Sequence, residues 1–356
     1  FSLVGLIGGN LGTLYAAVST LTSSFAGNAI RKILPGANGV WIAVGDGGKL
    51  SRSVDDGVTW TALTSGLGAI ALSGIGWDGN QTWMICGASG AIAKSTDNGA
   101  TWTSLGAVTA ITTDPLKGIA LTGDGVVCAA STTGRIYRNT AYGVGAWTTN
   151  TANVGLTGYL DIVSDMKNVF VTVTLGVSSS YVSSRTSKDK GVTWVGSATL
   201  PLNDGTSYRS VATDFQGGWV IGGDKGYLAY SSDNASTWAQ ITSNFTASDT
   251  ISAVGSDGLG NWIALGYVTS GGAAIQTISP PGPIAFSVRA TPTGTVSANP
   301  VAMGVRSNGT IVVGNTGANA ARSLPFYTFD KNTQFKVPLL PIYQGLKSYI
   351  KAKEAA

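Results

Sequence analysis

The 356-residue chain contains no histidine, and its only glutamate is Glu354. Without His, Ser–His and Cys–His nucleophile systems are excluded, as are metal sites built on imidazole. Cysteine is limited to Cys86 and Cys128, in the apolar strings WMICGA and GVVCAA. Two thiols in such runs read as buried and free, since a chain with 43% hydrophobic residues has core enough to fold without a bridge. Charge is sparse, at 11% of residues, and the formal +4 belongs to residues 331–356, which hold five Lys and Glu354. The neutral remainder, whose acids are all Asp, offers no basic face for nucleic acid. Long apolar runs are missing as well. Residues 1–30 carry no charge, but Asn10, Thr13, Ser19 and Thr20 interrupt them well short of the ~18 residues of a membrane span. No basic residues precede this stretch, as a signal peptide would need.

What the chain has in abundance is Gly, at 50 residues, together with Ser, Thr and Ala, the composition of tight turns and short strands. One string recurs. SVDDGVTW (53–60), STDNGATW (95–102), SKDKGVTW (187–194) and SSDNASTW (231–238) share S-x-D-x-G-x-T-W, with Ala235 replacing Gly in the last. NTAYGVGAW (139–147) keeps Gly143 and Trp147 without the Asp, and TFDKNTQF (328–335) keeps Asp330 with Phe335 in place of Trp. With Phe286 as the mark of a weaker copy, the closing aromatics stand 42 to 49 residues apart, a period of propellers or solenoids.

Upstream of each such point lies a pair of apolar runs joined by a Gly, Asn or Asp turn, for example IRKILPGANGVWIAVG, LSGIGWDGNQTWMICG and YRSVATDFQGGWVIGG; there are seven of these. They read as buried β-hairpins. A short third strand (KLSRS, AIAKS, RIYRN, YLAYS) then leads into the S-x-D turn, and a fourth strand begins at the Trp. The expected fold is therefore all-β: a seven-bladed β-propeller with four-stranded antiparallel blades over residues 29–337. Residues 1–28 are expected to close the ring or reach a partner. Residues 338–356 form a Lys-bearing tail in which Ile342, Leu346, Tyr349 and Ile350 recur at the spacing of a short helix.

In the repeated turn, Asp can accept hydrogen bonds from its own backbone, Gly can take a left-handed conformation, and the Trp can wedge between blades with its N–H on an acceptor. Ser53, Asp55, Gly57 and Trp60, Ser95, Asp97, Gly99 and Trp102, Ser187, Asp189, Gly191 and Trp194, and Ser231, Asp233 and Trp238 are thus structural residues.

These motifs resemble the Asp-box, or BNR-repeat, propellers, which include sialidases, some glucan-cleaving glycosidases, sorting-receptor ectodomains and photosystem II stability/assembly factor-like proteins. In repeat style the chain is most similar to the last group, whose relatives occur also among bacteriophage virion and tail proteins. The resemblance spans residues 29–337 and implies that the Asp-box lies on the outer rim and marks the fold rather than an activity.

A retaining sialidase-like site needs a Glu beside its Tyr nucleophile, and Glu354 in the tail cannot supply one. An inverting glycosidase could work with two Asp. Asp55, Asp97, Asp189, Asp233 and Asp330 fall in the repeat turns, and Asp78, Asp124 and Asp257 precede Gly in inner hairpins, where turn geometry explains them. That leaves Asp161 at the start of an inner strand, with no partner carboxylate, and a lone carboxylate cannot be both acid and base. No catalytic residue, metal site or cofactor is expected. Arg31, Lys32, Lys117, Asp161 and Arg209 stand just before the central apolar residue of four inner strands, where they could form an annular site for an anionic group of a glycan or of a partner's acidic loop.

The sequence thus points to a non-enzymatic binding or structural propeller. Its expected setting is a bacteriophage virion, as a tail or capsid-surface component contacting other subunits or a host surface glycan. The alternatives are an extracytoplasmic assembly factor of the periplasm or thylakoid lumen and an inverting glycoside hydrolase.

Overall fold

A computed structural model describes the chain from Tyr15 to Ser323, apart from single positions at 18, 107, 109, 112, 242 and 244 and residues 151–157, 176–183, 197–206, 269–271, 279–299 and 318–319. Each apolar pair of the sequence is an antiparallel hairpin, and in the four-stranded sheets its second strand is buried along its whole length, as at Trp41–Gly45, Trp83–Gly87 and Trp219–Gly223. A third antiparallel strand follows in register, Trp41 opposite Ser53 and Trp83 opposite Ser95, and a short, largely exposed fourth strand completes the sheet.

Five sheets built this way follow in order: blade 1 (residues 30–63), blade 2 (72–104), blade 3 (116–150), blade 4 (159–196) and blade 5 (208–241). A three-stranded sheet (250–278) comes next, and blade 6 combines residues 300–323 with Tyr15–Ala17. The innermost strand of each sheet packs on that of the next, and Pro300–Val305 returns to Ile30–Pro35, so the ring is closed.

The expectation of seven four-stranded blades is corrected here: six sheets among the described residues have four strands, and the remaining sheet has three. The sequence that follows its third strand has neither the S-x-D turn of blades 1, 2, 4 and 5 nor the Asn turn of blade 3. The sequence after its last strand, Gly272–Ile278, carries Pro280, Pro281 and Pro283, none of which has an amide hydrogen to give to a ladder. The expected tail helix, together with Phe286, Asp330 and Phe335, lies outside the described residues. A helix the sequence did not suggest, Ser19–Phe25, lies beside blade 1 with Leu21 and Phe25 in its core.

Ring closure comes from the N-terminal side. Tyr15, Ala16 and Ala17 pair with Ser323, Arg322 and Ala321 and form the outer strand of blade 6. Asp56, at the turn of blade 1, fastens the same seam. It accepts from Arg306 Nη1 at 2.7 Å, Asn308 Nδ2 at 2.6 Å and Thr310 Oγ1 at 3.1 Å in blade 6, and from Trp41 Nε1 at 3.0 Å in its own blade.

The recurring turns are built alike. In blade 2, Ser95 Oγ donates to Asp97 Oδ1 at 2.7 Å and accepts from Gly99 N at 2.9 Å, while Asp97 accepts from Thr101 N at 2.9 Å and Thr101 Oγ1 at 2.5 Å. Blades 1 and 5 repeat this pattern around Asp55 and Asp233. Gly99 has φ +81°, and a Cβ there would stand 2.6 Å from Ile42 Cδ1 of the preceding blade, so both backbone conformation and close approach call for glycine. The Trp indoles of blades 1 to 4 donate to the turn carbonyls of Gly57, Gly99, Gly143 and Gly191 at 3.0 to 3.2 Å. Trp60 shares a core with Val312 and Ala320 of blade 6, and Trp194 with Cys128 and Ala130 of blade 3, so these rings fill the seams between blades. Arginines bridge the seams too: Arg52, Arg138 and Arg322 each donate Nε to the carbonyl of a neighbouring blade's turn, at Asn98, Lys190 and Asp56.

Candidate functional site

Every inner strand carries a β-bulge near its start, one residue after its first pairing in six sheets and after its second in the three-stranded sheet. A bulge frees one residue from the ladder and re-aims its side chain. In ring order the bulged residues are Arg31, Ser73, Lys117, Leu160, Arg209, Ser252 and Val301, and all seven line a single cavity of about 230 Å³ on the ring axis. Lys32, Asp161 and Ser210, which follow their bulges, line it as well, as do Ala253, Val254, Ala302 and Met303. The five residues singled out in the sequence, Arg31, Lys32, Lys117, Asp161 and Arg209, are thus brought into one cavity although they come from four sheets.

Glycine makes room for this arrangement. Gly74 and Gly118 occupy the position after the bulge in blades 2 and 3, and a Cβ on Gly74 would stand 2.8 Å from the Gly118 Cα and 2.7 Å from Cys86 Sγ. Cys86 and Cys128 are both buried and free, and burial pushes both thiols upward in pKa, so they are inert packing groups.

The charges fall into pairs with one exception. Arg31 lies in a bidentate pair with Asp46 (2.9 and 2.6 Å), and hydrogen bonding to that carboxylate raises the guanidinium pKa against the pull of burial. Arg209 forms the corresponding pair with Asp224 at 2.5 and 3.3 Å. Lys32 Nζ reaches across the ring to Asp161 at 2.8 and 2.9 Å. Asp161 also accepts from Ile162 N at 3.0 Å and from Ser210 Oγ and Val211 N at 3.3 Å, so the carboxylate for which the sequence suggested no partner is surrounded by donors. Lys117 is the exception. It has no carboxylate partner among the described residues, and its pKa is lowered, by burial first and then by the nearby Arg31 and Lys32 charges, against the attraction of Asp161.

Among the described residues, Asp161 is the sole carboxylate on the wall of this cavity. An ion-paired, multiply hydrogen-bonded carboxylate has no second acid within the cavity to share general acid and general base work.

A second cavity, of about 370 Å³, lies on blade 3 around Asp114, Thr133, Arg135 and Tyr137, residues the sequence reading passed over. Asp114 accepts from Tyr137 Oη at 2.5 Å, from Thr133 Oγ1 at 2.7 and 2.8 Å and from Arg135 Nη1 at 3.3 Å. Burial raises its pKa, but these donors outweigh burial and hold it below the ordinary value; the Tyr137 hydroxyl, buried against the carboxylate, is pushed up to about 12. Its donors saturate Asp114. No local motif distinguished it, because these side chains meet only through the fold.

The repeat-turn residues sit apart from the axis. Asp55, Asp97, Asp189 and Asp233 are each engaged by the Ser and Thr of their own turn, and none lines either cavity. Among the described residues, no group of three or more His, Cys, Asp or Glu could hold a metal ion, and no helix is long and apolar enough to cross a membrane.

No protein-family model matches the chain, and no curated protein does. Solved structures do. YCF48 bound to D1 peptide superposes with a TM-score of 0.65 at 16% identity, over 88% of this chain and 94% of that one. The WD40 beta propeller domain of Doa1 gives 0.60 at 15%, over 86% and 94%. The fold is a β-propeller. A third likeness to this propeller is the GH74 xyloglucanase from Xanthomonas campestris, at 0.65 and 15% identity, over 89% of this chain and 54% of the enzyme. At such identities the likeness establishes the propeller fold alone, on which binding proteins and glycosidases are both built.

Proposed function

We propose that the chain is a non-catalytic propeller that binds a protein partner on its axial face, engaging an anionic group of that partner in the central cavity. The observation that carries this reading is the pairing of charges on the cavity wall. Among the described residues, two arginines and one lysine of the wall are satisfied internally, one ammonium is not, and its one carboxylate is fully engaged. Such a wall is arranged to hold an anion rather than to transfer protons. YCF48, which has the same fold, is a protein seen with a peptide bound, and that precedent favours a peptide or protein ligand here. The glycosidase alternative, raised by the likeness to the GH74 enzyme, needs a second acid that the cavity does not offer.

The proposed setting is a larger assembly. A virion tail or capsid surface is suggested by composition, namely low charge, richness in Ser, Thr and Gly, and no His; an extracytoplasmic assembly factor is the alternative suggested by repeat style. Mass spectrometry of purified particles against periplasmic or thylakoid fractions separates the two settings.

The binding face is tested by selecting peptides from a displayed random library on the native protein and measuring them against Ser252→Trp, which fills the cavity from the three-stranded sheet. Loss of binding with an unchanged melting transition is expected. Retained binding in the filled variant would contradict the reading, and release of reducing sugar from a polysaccharide panel would replace it with catalysis.

A further inference from the structure

The bulge positions carry more than a binding face; they specify a ligand class. Arg31, Lys117 and Arg209 occupy the same position in blades 1, 3 and 5. In blades 1 and 5 the residue fifteen places later is an aspartate, Asp46 or Asp224, and it neutralises the arginine. In blade 3 the residue fifteen places after Lys117 is Thr132, whose hydroxyl is turned to Pro115 O at 3.4 Å. The cations of the wall, Arg31, Lys32, Lys117 and Arg209, therefore face three carboxylates, Asp46, Asp161 and Asp224, and one positive charge remains, on Lys117.

The other side of the cavity is uncharged and, apart from Ser252, apolar. Ala253, Val254, Val301, Ala302 and Met303, from the three-stranded sheet and blade 6, contribute no charge. The 230 Å³ volume lies below the range of pockets that enclose a drug-sized ligand, so it suits a small group rather than a long chain. One excess charge, an apolar wall and this volume fit a single carboxylate on a short apolar body. They do not fit a polyanion, which would bring charges without partners.

We propose that Lys117 anchors one carboxylate of an amphipathic acid, an acidic group of a peptide carried on an apolar stem, with the stem against Val254, Val301 and Met303. Arg31 and Arg209, each with Nη1 outside its bidentate pair, supply further donors. This rests on the axial-face reading above and names what that face recognises.

The test is calorimetric titration of the whole chain with hexanoate, acetate and 1-hexanol as probes. Hexanoate is expected to fill one site and acetate to bind more weakly, and 1-hexanol is expected not to bind. Lys117→Met should weaken hexanoate by roughly tenfold or more, as befits the loss of a charged hydrogen-bond donor, while Lys117→Arg retains it within about threefold, a smaller loss than that of the charge. The melting temperature of Lys117→Met should be equal to that of the native protein or higher, since an ammonium removed from a half-buried site relieves desolvation. Equal affinity for hexanoate in Lys117→Met, or equal binding of 1-hexanol and hexanoate, would overturn the assignment. If hexanoate fails while library peptides still bind and are lost in Ser252→Trp, the ligand class is wrong and the binding face stands. If the peptides survive Ser252→Trp, the face itself is wrong.

Discussion

Asp97 is mostly exposed, yet it holds three polar groups of its own turn, Ser95 Oγ, Thr101 N and Thr101 Oγ1. Partial burial works against its ionisation, but these donors outweigh it and lower its pKa to about 2; the same balance brings Asp233 to about 2. Because both folded values lie below the ordinary 3.8, the stabilisation is fully present above about pH 4 and is lost as the pH falls through 2. Urea midpoints measured from pH 5 to pH 2 should therefore decline on acidification, and less steeply in an Asp97→Asn/Asp233→Asn variant. Asp97→Ala should cost about 1 to 3 kcal/mol by urea unfolding. The Ser, Asp, Gly and Trp of these turns were legible in the sequence because the bonds they make are local. Asn139 was not: it stands where Ser does in the other blades and replaces both Ser and Asp, accepting from Ala141 N and Gly143 N and donating to the carbonyls of Val144 and Ala146. Its amide supplies both donor and acceptor, so the turn survives without a carboxylate.

At the scale of strands and sheets, the inner hairpins and their order could be read from apolar runs and turn residues, since that pattern follows from burial of both faces. The bulges could not. An extra residue in a strand leaves no periodic trace when its neighbours are apolar on both sides, and the five candidate residues were recognised as charges at strand starts without the reason they converge. The three-stranded sheet escaped the reading for a related reason: an aromatic at roughly the right interval, Phe286, was taken as the end of a full repeat, although the string before it, SPPGPIAF, has neither the Ser-x-Asp of four blades nor the Asn that serves blade 3. The closing seam gives a prediction at this scale. Asp56→Ala removes the acceptor of Arg306, Asn308, Thr310 and Trp41 and should cost about 2 to 3 kcal/mol. Hydrogen exchange in this variant should rise first at the pairing of Tyr15–Ala17 with Ala321–Ser323, where the ring is joined by strand pairing rather than by continuous chain. Uniform acceleration over all blades would contradict that role for the seam.

Across the whole molecule, the ring separates two kinds of residue that look alike in composition. Carboxylates at the rim, in the repeated turns, stiffen corners; cations at the axis, on the bulges, face a shared cavity. This division explains how a chain so poor in charge can still present a charged site. Seven inner strands each contribute one to three residues to the same small volume, and the pairing of their charges leaves one unpaired ammonium among the described residues. It also explains why the site was only half visible beforehand: Lys32 and Asp161 are 129 positions apart and meet only because the ring brings opposite blades together. The most direct measurement is hexanoate affinity in Asp97→Ala and Lys117→Met, taken at one temperature below both melting transitions. The account predicts native affinity with a lowered melting point for the first, and lost affinity with an unlowered melting point for the second. The opposite assignment, with binding destroyed at the rim and untouched at the axis, would contradict it.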